Sequence, residues 1–127
     1  MKRLITALLI LFSPLTQAEW KFIEESDDGM KIFMDFKTIQ RNENTIRIWL
    51  KAEFKSPPSK PAYLSSRSLV EYDCRERKFR SLTWTNFSDN QLQGKVVDKD
   101  TPSNPAWVYA PPESIGLTLL QRACRQK

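Results

Sequence analysis

Between Thr45 and Phe54 the chain alternates without a break. Ile46, Ile48, Leu50, Ala52 and Phe54 fall on one side, and Thr45, Arg47, Trp49, Lys51 and Glu53 on the other. Side chains alternate across a strand, so this period of two marks an extended segment with one face on a core and one in water. A sheet with one solvated face is antiparallel far more often than parallel, because parallel sheets are covered on both sides. The rest of the chain has to supply the neighbouring strands and whatever covers the apolar face.

Those neighbours are legible on both sides. Trp20 to Glu25 alternates weakly, Ser26-Asp27-Asp28-Gly29 reads as a tight turn, and Met30 to Phe36 returns. Asp-Gly favours this turn because glycine accepts the positive φ that the chain reversal needs. Arg41-Asn42-Glu43-Asn44 is a second polar turn, and the prolines of Ser56 to Pro61 exclude a central strand there. Ser66 to Cys74 is extended, with Val70, Tyr72 and Cys74 on one face; Arg75-Glu76-Arg77 turns the chain; Phe79 to Phe87 follows, with Leu82 and Trp84 on a common face. Gln91 to Val97 is a further expected strand, Asp98 to Pro105 an expected loop, and Trp107 to Tyr109 a short aromatic segment closed by Pro111-Pro112.

Glu113 to Arg125 fits a helix, with Leu117, Leu120 and Cys124 on its expected apolar stripe. Glu113 near its start and Arg122 and Arg125 near its end suit the helix dipole, and Gly116 weakens it. Strands first and helix last predict an α+β fold, a small antiparallel sheet of about five to six strands with a C-terminal helix packed on it.

The first residues belong to a different kind of segment. Met1-Lys2-Arg3 is basic, Leu4 to Phe12 is apolar apart from Thr6, and Leu15-Thr16-Gln17-Ala18 ends in a small residue. This is the layout of a cleaved secretory signal. The run is far shorter than the roughly 20 apolar residues a transmembrane helix needs, and no later segment supplies one. Residues 1–18 are therefore expected to be an export signal and residues 19–127 one domain. A lipoprotein would carry cysteine just after the cut. Glu19 and Trp20 stand there, so the expected location is periplasmic, secreted or cell-surface, without a lipid anchor.

Export gives the two cysteines their meaning. In an oxidising compartment an even count reads as a disulfide, and Cys74 and Cys124 allow one intramolecular pairing. Closing a loop of about 50 residues stabilises a fold by about 4 kcal/mol on the chain-entropy model. The bridge would pin the helix to the sheet. The other role for Cys74, a reactive thiol amid the positive charge of Tyr72 to Phe87, needs an activating base, and the chain has no histidine.

That missing residue also excludes Ser-His and Cys-His nucleophile pairs and histidine-based zinc sites. With three glycines the chain has no phosphate-cradling loop. Glu24, Glu25, Asp27 and Asp28 crowd a turn without the spacing of a calcium loop. A hydrolase built on carboxylates alone would need two buried carboxyls facing each other across a cleft. The expectation is a protein that is not an enzyme, with no metal and no cofactor.

Surface recognition remains. Trp49 lies between Arg47 and Lys51 on the polar side of its strand, an arrangement suited to a recognition patch, although it could equally pack beneath a loop. Arg75, Arg77, Lys78 and Arg80 form the densest positive cluster, either a solvated turn or a site for an acidic protein segment, a sulfated glycan or an anionic head group. Lysines and arginines number 20 against 15 acidic residues; without Lys2 and Arg3 the net charge is about +3, too mild for a nucleic-acid binder.

Taken in order, Trp20, Asp28-Gly29, Phe33-Met34-Asp35 with Thr38-Ile39, Ile46-Arg47-Ile48-Trp49, Val70-Glu71-Tyr72-Asp73-Cys74 with Phe79-Arg80, then Trp107, Pro112-Glu113-Ser114-Ile115 and Cys124 resemble the surface-adhesin protein E family. The resemblance spans nearly all of residues 19–127. It implies a small antiparallel sheet with a C-terminal helix tied by a cysteine pair, in a Gram-negative envelope. It also implies a protein partner of the host matrix or plasma and a capacity to form a homodimer. The alternative is a soluble periplasmic protein that binds a small ligand or an envelope component, with a concave pocket at Trp49 or Trp84 as its mark.

Overall fold

A computed structural model describes residues 17–126, so nearly all of the expected export signal, residues 1–18, lies outside the described residues. Six strands follow one another across an antiparallel sheet in sequence order: β1 (Lys21–Glu25), β2 (Lys31–Asn42), β3 (Thr45–Glu53), β4 (Ser65–Asp73), β5 (Lys78–Phe87) and β6 (Val96–Asp100). A two-residue strand, β7 (Val108–Tyr109), pairs with the start of β5 at Lys78 and Phe79, while β6 pairs with its end from Trp84 to Phe87. One helix, α1 (Ile115–Cys124), completes the described fold.

The turns form where the sequence placed them. Gly29 sits at φ +87°, and its N–H donates to the Ser26 carbonyl at 2.9 Å. β2 and β3 are joined through Glu43 and Asn44 alone, with Asn42 opposite Thr45. The proline-rich loop after β3 is closed at its base by the Phe54 N–H on the Leu64 carbonyl and by Phe54 edge-on to Tyr63 at 5.4 Å.

β2 runs six residues beyond the expected end at Phe36 because it absorbs a large bulge. Asp35 pairs with Trp49 and Gln40 with Arg47, so four residues on β2 oppose Ile48 alone on β3. The bulge turns Phe36 and Ile39 onto the core. Its stray backbone groups are taken up by side chains: the Thr38 hydroxyl donates to the Asp35 carbonyl and accepts from the Trp49 N–H, and the Asp35 carboxylate accepts from the Lys37 N–H.

The sixth strand is displaced from its expected position. Residues 90–92 form a single 3-10 turn, and the strand is Val96–Asp100, which lies largely in the expected loop. Two contacts override the apolar signal of Gln91 to Val97. The Asn90 amide donates to the carbonyls of Phe54 and Leu64, and the Gln91 N–H donates to the Glu53 carboxylate. Gly94, at φ +82°, then redirects the chain. The polar residues Asp98 to Asp100 are acceptable in a strand because β6 is an edge.

The alternating face of β3 meets the helix. Ile48, Leu50, Ile32, Met34, Val70 and Tyr72 pack with Leu119, Leu120 and Ala123. The helix is rotated from the expected Leu117, Leu120, Cys124 stripe, because Gly116 lets α1 approach Phe79: a Cβ there would lie 3.1 Å from the Phe79 ring. α1 also starts later than expected. Ser114 is its N-cap, accepting from the Leu117 N–H at 3.1 Å, and Glu113 is left outside the helix at φ +60°. At the other end the Cys74–Cys124 disulfide, with Cα atoms 5.8 Å apart, ties α1 to the end of β4.

Candidate functional site

The face of the sheet away from α1 carries the polar half of each alternation. Strand register decides which residues meet there. Arg47, Glu71 and Arg80 lie side by side on β3, β4 and β5. The Glu71 carboxylate, 4% exposed, accepts from Arg47 Nε at 2.6 Å on one oxygen and from Arg80 Nε at 2.9 Å and Nη2 at 2.7 Å on the other. Burial alone would raise the Glu71 pKa. The hydrogen bonds and charges of both arginines outweigh burial and hold it below the ordinary value.

Around this triad the cations lie against rings. Arg80 is 4.2 Å from the Trp107 ring and Lys78 is 5.0 Å from it. Arg67 lies 5.3 Å from Trp49. Lys51 is 4.4 Å from Phe33 and 5.8 Å from Trp20, and its ammonium is 3.6 Å from Glu53. A cation over an aromatic face is attracted by the ring quadrupole, most strongly where water is partly excluded. The last group lines an open groove of about 740 Å³ whose walls include Trp20, Phe33, Lys51 and Leu92.

The expected site residues therefore divide into two sets. Arg47, Trp49, Lys51, Lys78 and Arg80 share the outer face, although Trp49 takes its cation from Arg67 on β4 instead of Arg47 or Lys51. Arg75 and Arg77 stand apart, exposed in the β4–β5 turn, where the Asp73 carboxylate binds the N–H groups of Arg75 and Glu76. The groove of about 740 Å³ is lined by neither Trp49 nor Trp84; Trp84 borders a smaller, mostly polar hollow of about 310 Å³. Sequence reasoning missed Trp20, Phe33, Arg67, Glu71 and Trp107 as parts of this face. The outward phase of Arg67 and Glu71 on β4 could have suggested two of them; the partners of Trp107 depend on the fold.

The two buried carboxylates among the described residues are committed to structure: Asp35 to the bulge and Glu71 to its arginines. Among the described residues no group of three or more potential ligands is placed to hold a metal ion, and no helix is long and apolar enough to cross a membrane.

Residues 20–125 match the family model of surface-adhesin protein E. The chain belongs to that family. Its fold is similar to that of Haemophilus influenzae protein E in crystal form II, at a TM-score of 0.59 and 13% identity over 88% of this chain and 93% of that one. A second Haemophilus influenzae protein E structure gives a TM-score of 0.57 and 14% identity over 88% and 89% of the two chains. No curated protein sequence matches this protein E family member. The likeness is thus one of fold and family.

Proposed function

We propose that this protein is an exported, non-enzymatic binding module of the adhesin type, residues 19–127, whose outer sheet face engages an acidic segment of a host matrix or plasma protein. The observation that carries the reading is the row of cations held against rings. Arg67 on Trp49 and Lys78 and Arg80 on Trp107 flank Arg47, while Glu71 is buried beneath its arginines. Arginine and tryptophan are the residue types that dominate binding hot spots. Arg47, half exposed, keeps unused N–H groups for a partner carboxylate.

Immobilised matrix and plasma proteins test the proposal by surface plasmon resonance. Arg67→Gln with Trp49→Ala should weaken binding at least about tenfold, as expected when a hot spot is truncated. Binding of the wild type that survives this double variant and Arg47→Gln unchanged would assign the partner to another surface. Absence of any binding at micromolar concentration would reject the adhesin reading.

The groove bordered by Trp20, Phe33 and Lys51 favours a second reading, a periplasmic binder of a small aromatic or anionic ligand. Protease treatment of intact cells separates the two. Digestion from outside supports surface display, whereas protection until the outer membrane is opened supports the periplasmic reading.

A further inference from the structure

A second surface lies at the β4–β5 turn and β7, at the edge of the sheet. Val108 and Tyr109 are 50% and 66% exposed, large apolar side chains that burial in this chain alone does not explain. They alternate across β7, so one points to each side of the edge. Trp107 precedes them, and the Ala110 N–H donates to the Arg77 carbonyl, fixing β7 beside the turn. Arg75, Arg77 and Lys78 surround this tip, and among the described residues none of the three is in an ion pair. The neighbouring Asp73 carboxylate is occupied by backbone N–H groups of the turn, which leaves Glu76 as the one acidic side chain within it.

We propose that this edge docks on an anionic phospholipid bilayer. Aromatic side chains with one polar end settle at the head-group level of a membrane, and lysines and arginines beside them are drawn to anionic phosphates. Lys78, 5.0 Å from Trp107 and 6.0 Å from Tyr109, joins both features in one place. Charge and exposure select the occupant. Val108 and Tyr109 are exposed on opposite sides of β7 beside Arg75, Arg77 and Lys78, which matches a bilayer whose anionic head groups lie next to an apolar interior. Two signals together, apolar and basic, give weak, reversible and salt-sensitive attachment. The edge adjoins the outer face, since Tyr109 pairs with Lys78 and both Lys78 and Trp107 border the two surfaces; Arg75, Arg77 and Val108 belong to the edge alone.

The test is co-sedimentation of the full domain with vesicles of phosphatidylcholine alone and with added phosphatidylglycerol, at low and at physiological salt. The wild type should sediment with the anionic vesicles alone, less so as salt rises. Arg75→Gln with Arg77→Asn should weaken this about 25-fold, at about fivefold per charge near the surface. Asparagine suits the φ of +53° at position 77. Val108→Ser with Tyr109→Ser should also weaken binding while leaving its salt dependence. The outer-face pair Arg67→Gln with Trp49→Ala should sediment like the wild type, which keeps the two surfaces apart. Three results would overturn the proposal: no binding to anionic vesicles, binding indifferent to both edge variants, or equal binding to neutral vesicles. Capture by soluble polyglutamate, insensitive to the Val108 and Tyr109 changes, would likewise replace the membrane with an acidic protein segment. Edge variants that turn a dimer into a monomer in sedimentation velocity, with vesicle binding intact, would make the edge a contact between copies and reject the membrane role.

Discussion

Replacing Glu71 by glutamine keeps the shape of the side chain and removes its charge from beneath Arg47 and Arg80. Hydrogen bonds involving a charged group are worth about 1.5–3 kcal/mol, and breaking a fully buried ion pair costs about 3–5 kcal/mol. The full figure does not apply here. The Arg47 side chain is 47% exposed and that of Arg80 24%, so both regain water when the carboxylate is lost. Glutamine also retains one acceptor oxygen. Glu71→Gln should therefore cost about 2 kcal/mol at neutral pH, lowering a urea midpoint by about 1.3 M at an m-value of about 1.5 kcal/mol/M. The loss should depend on pH. The folded Glu71 pKa lies below its ordinary 4.5, so the charged form adds stability above that value and loses it as pH falls through the folded pKa. The two proteins differ at residue 71 alone, and protonated Glu71 resembles glutamine. The gap between wild type and variant should accordingly be flat above about pH 5 and close in the acid range. Urea curves across this range measure it directly. A gap that persists unchanged into acid would show that Glu71 acts through packing and not through its charge.

Three further outcomes follow from the fold. Cys74→Ser and Cys124→Ser should each lower stability by up to about 4 kcal/mol, and the double variant should cost little more than either; additive losses in urea unfolding would contradict one shared bond. Ser114→Ala should cost about 1 kcal/mol by leaving the Leu117 N–H without its cap, read as a lower thermal midpoint. Gly29→Ala should cost about 1–2 kcal/mol in the same assay, because φ +87° places a Cβ in strained backbone and against the Lys55 side chain; an unchanged midpoint would mean that the turn relaxes freely.

The parts of the fold legible in sequence are those that rest on local period and compartment. The alternation in β3 specified its two faces, and the expectation of an oxidising compartment pointed to Cys74 and Cys124 as partners. The parts that were not legible depend on long-range pairing. Glu71 looks like an ordinary exposed strand acid until register places Arg47 on one side of it and Arg80 on the other. Gln91 to Val97 reads as a strand until Asn90 finds the open carbonyls at the base of a loop more than twenty residues earlier. The helix stripe turned because the spacing of leucines says nothing of Phe79, against which Gly116 packs. For the candidate site the same division holds: Arg47, Trp49 and Lys51 follow from one strand, whereas the rings of Trp20, Phe33 and Trp107 come from three other segments.

The bond between Cys74 and Cys124 also sets the path of mechanical load. If tension is applied between the first strand and the last residues of the helix, it passes through the sulfur atoms and enters the sheet at the end of β4. Residues 75–123, between the cysteines, lie off that path. At about 3.4 Å per residue, about 170 Å of chain is withheld from extension. β5, β6, β7 and the body of α1 thus remain slack while β1 to β4 bear the pull, and a surface built on β5 and β7 keeps its form after the first strands begin to yield.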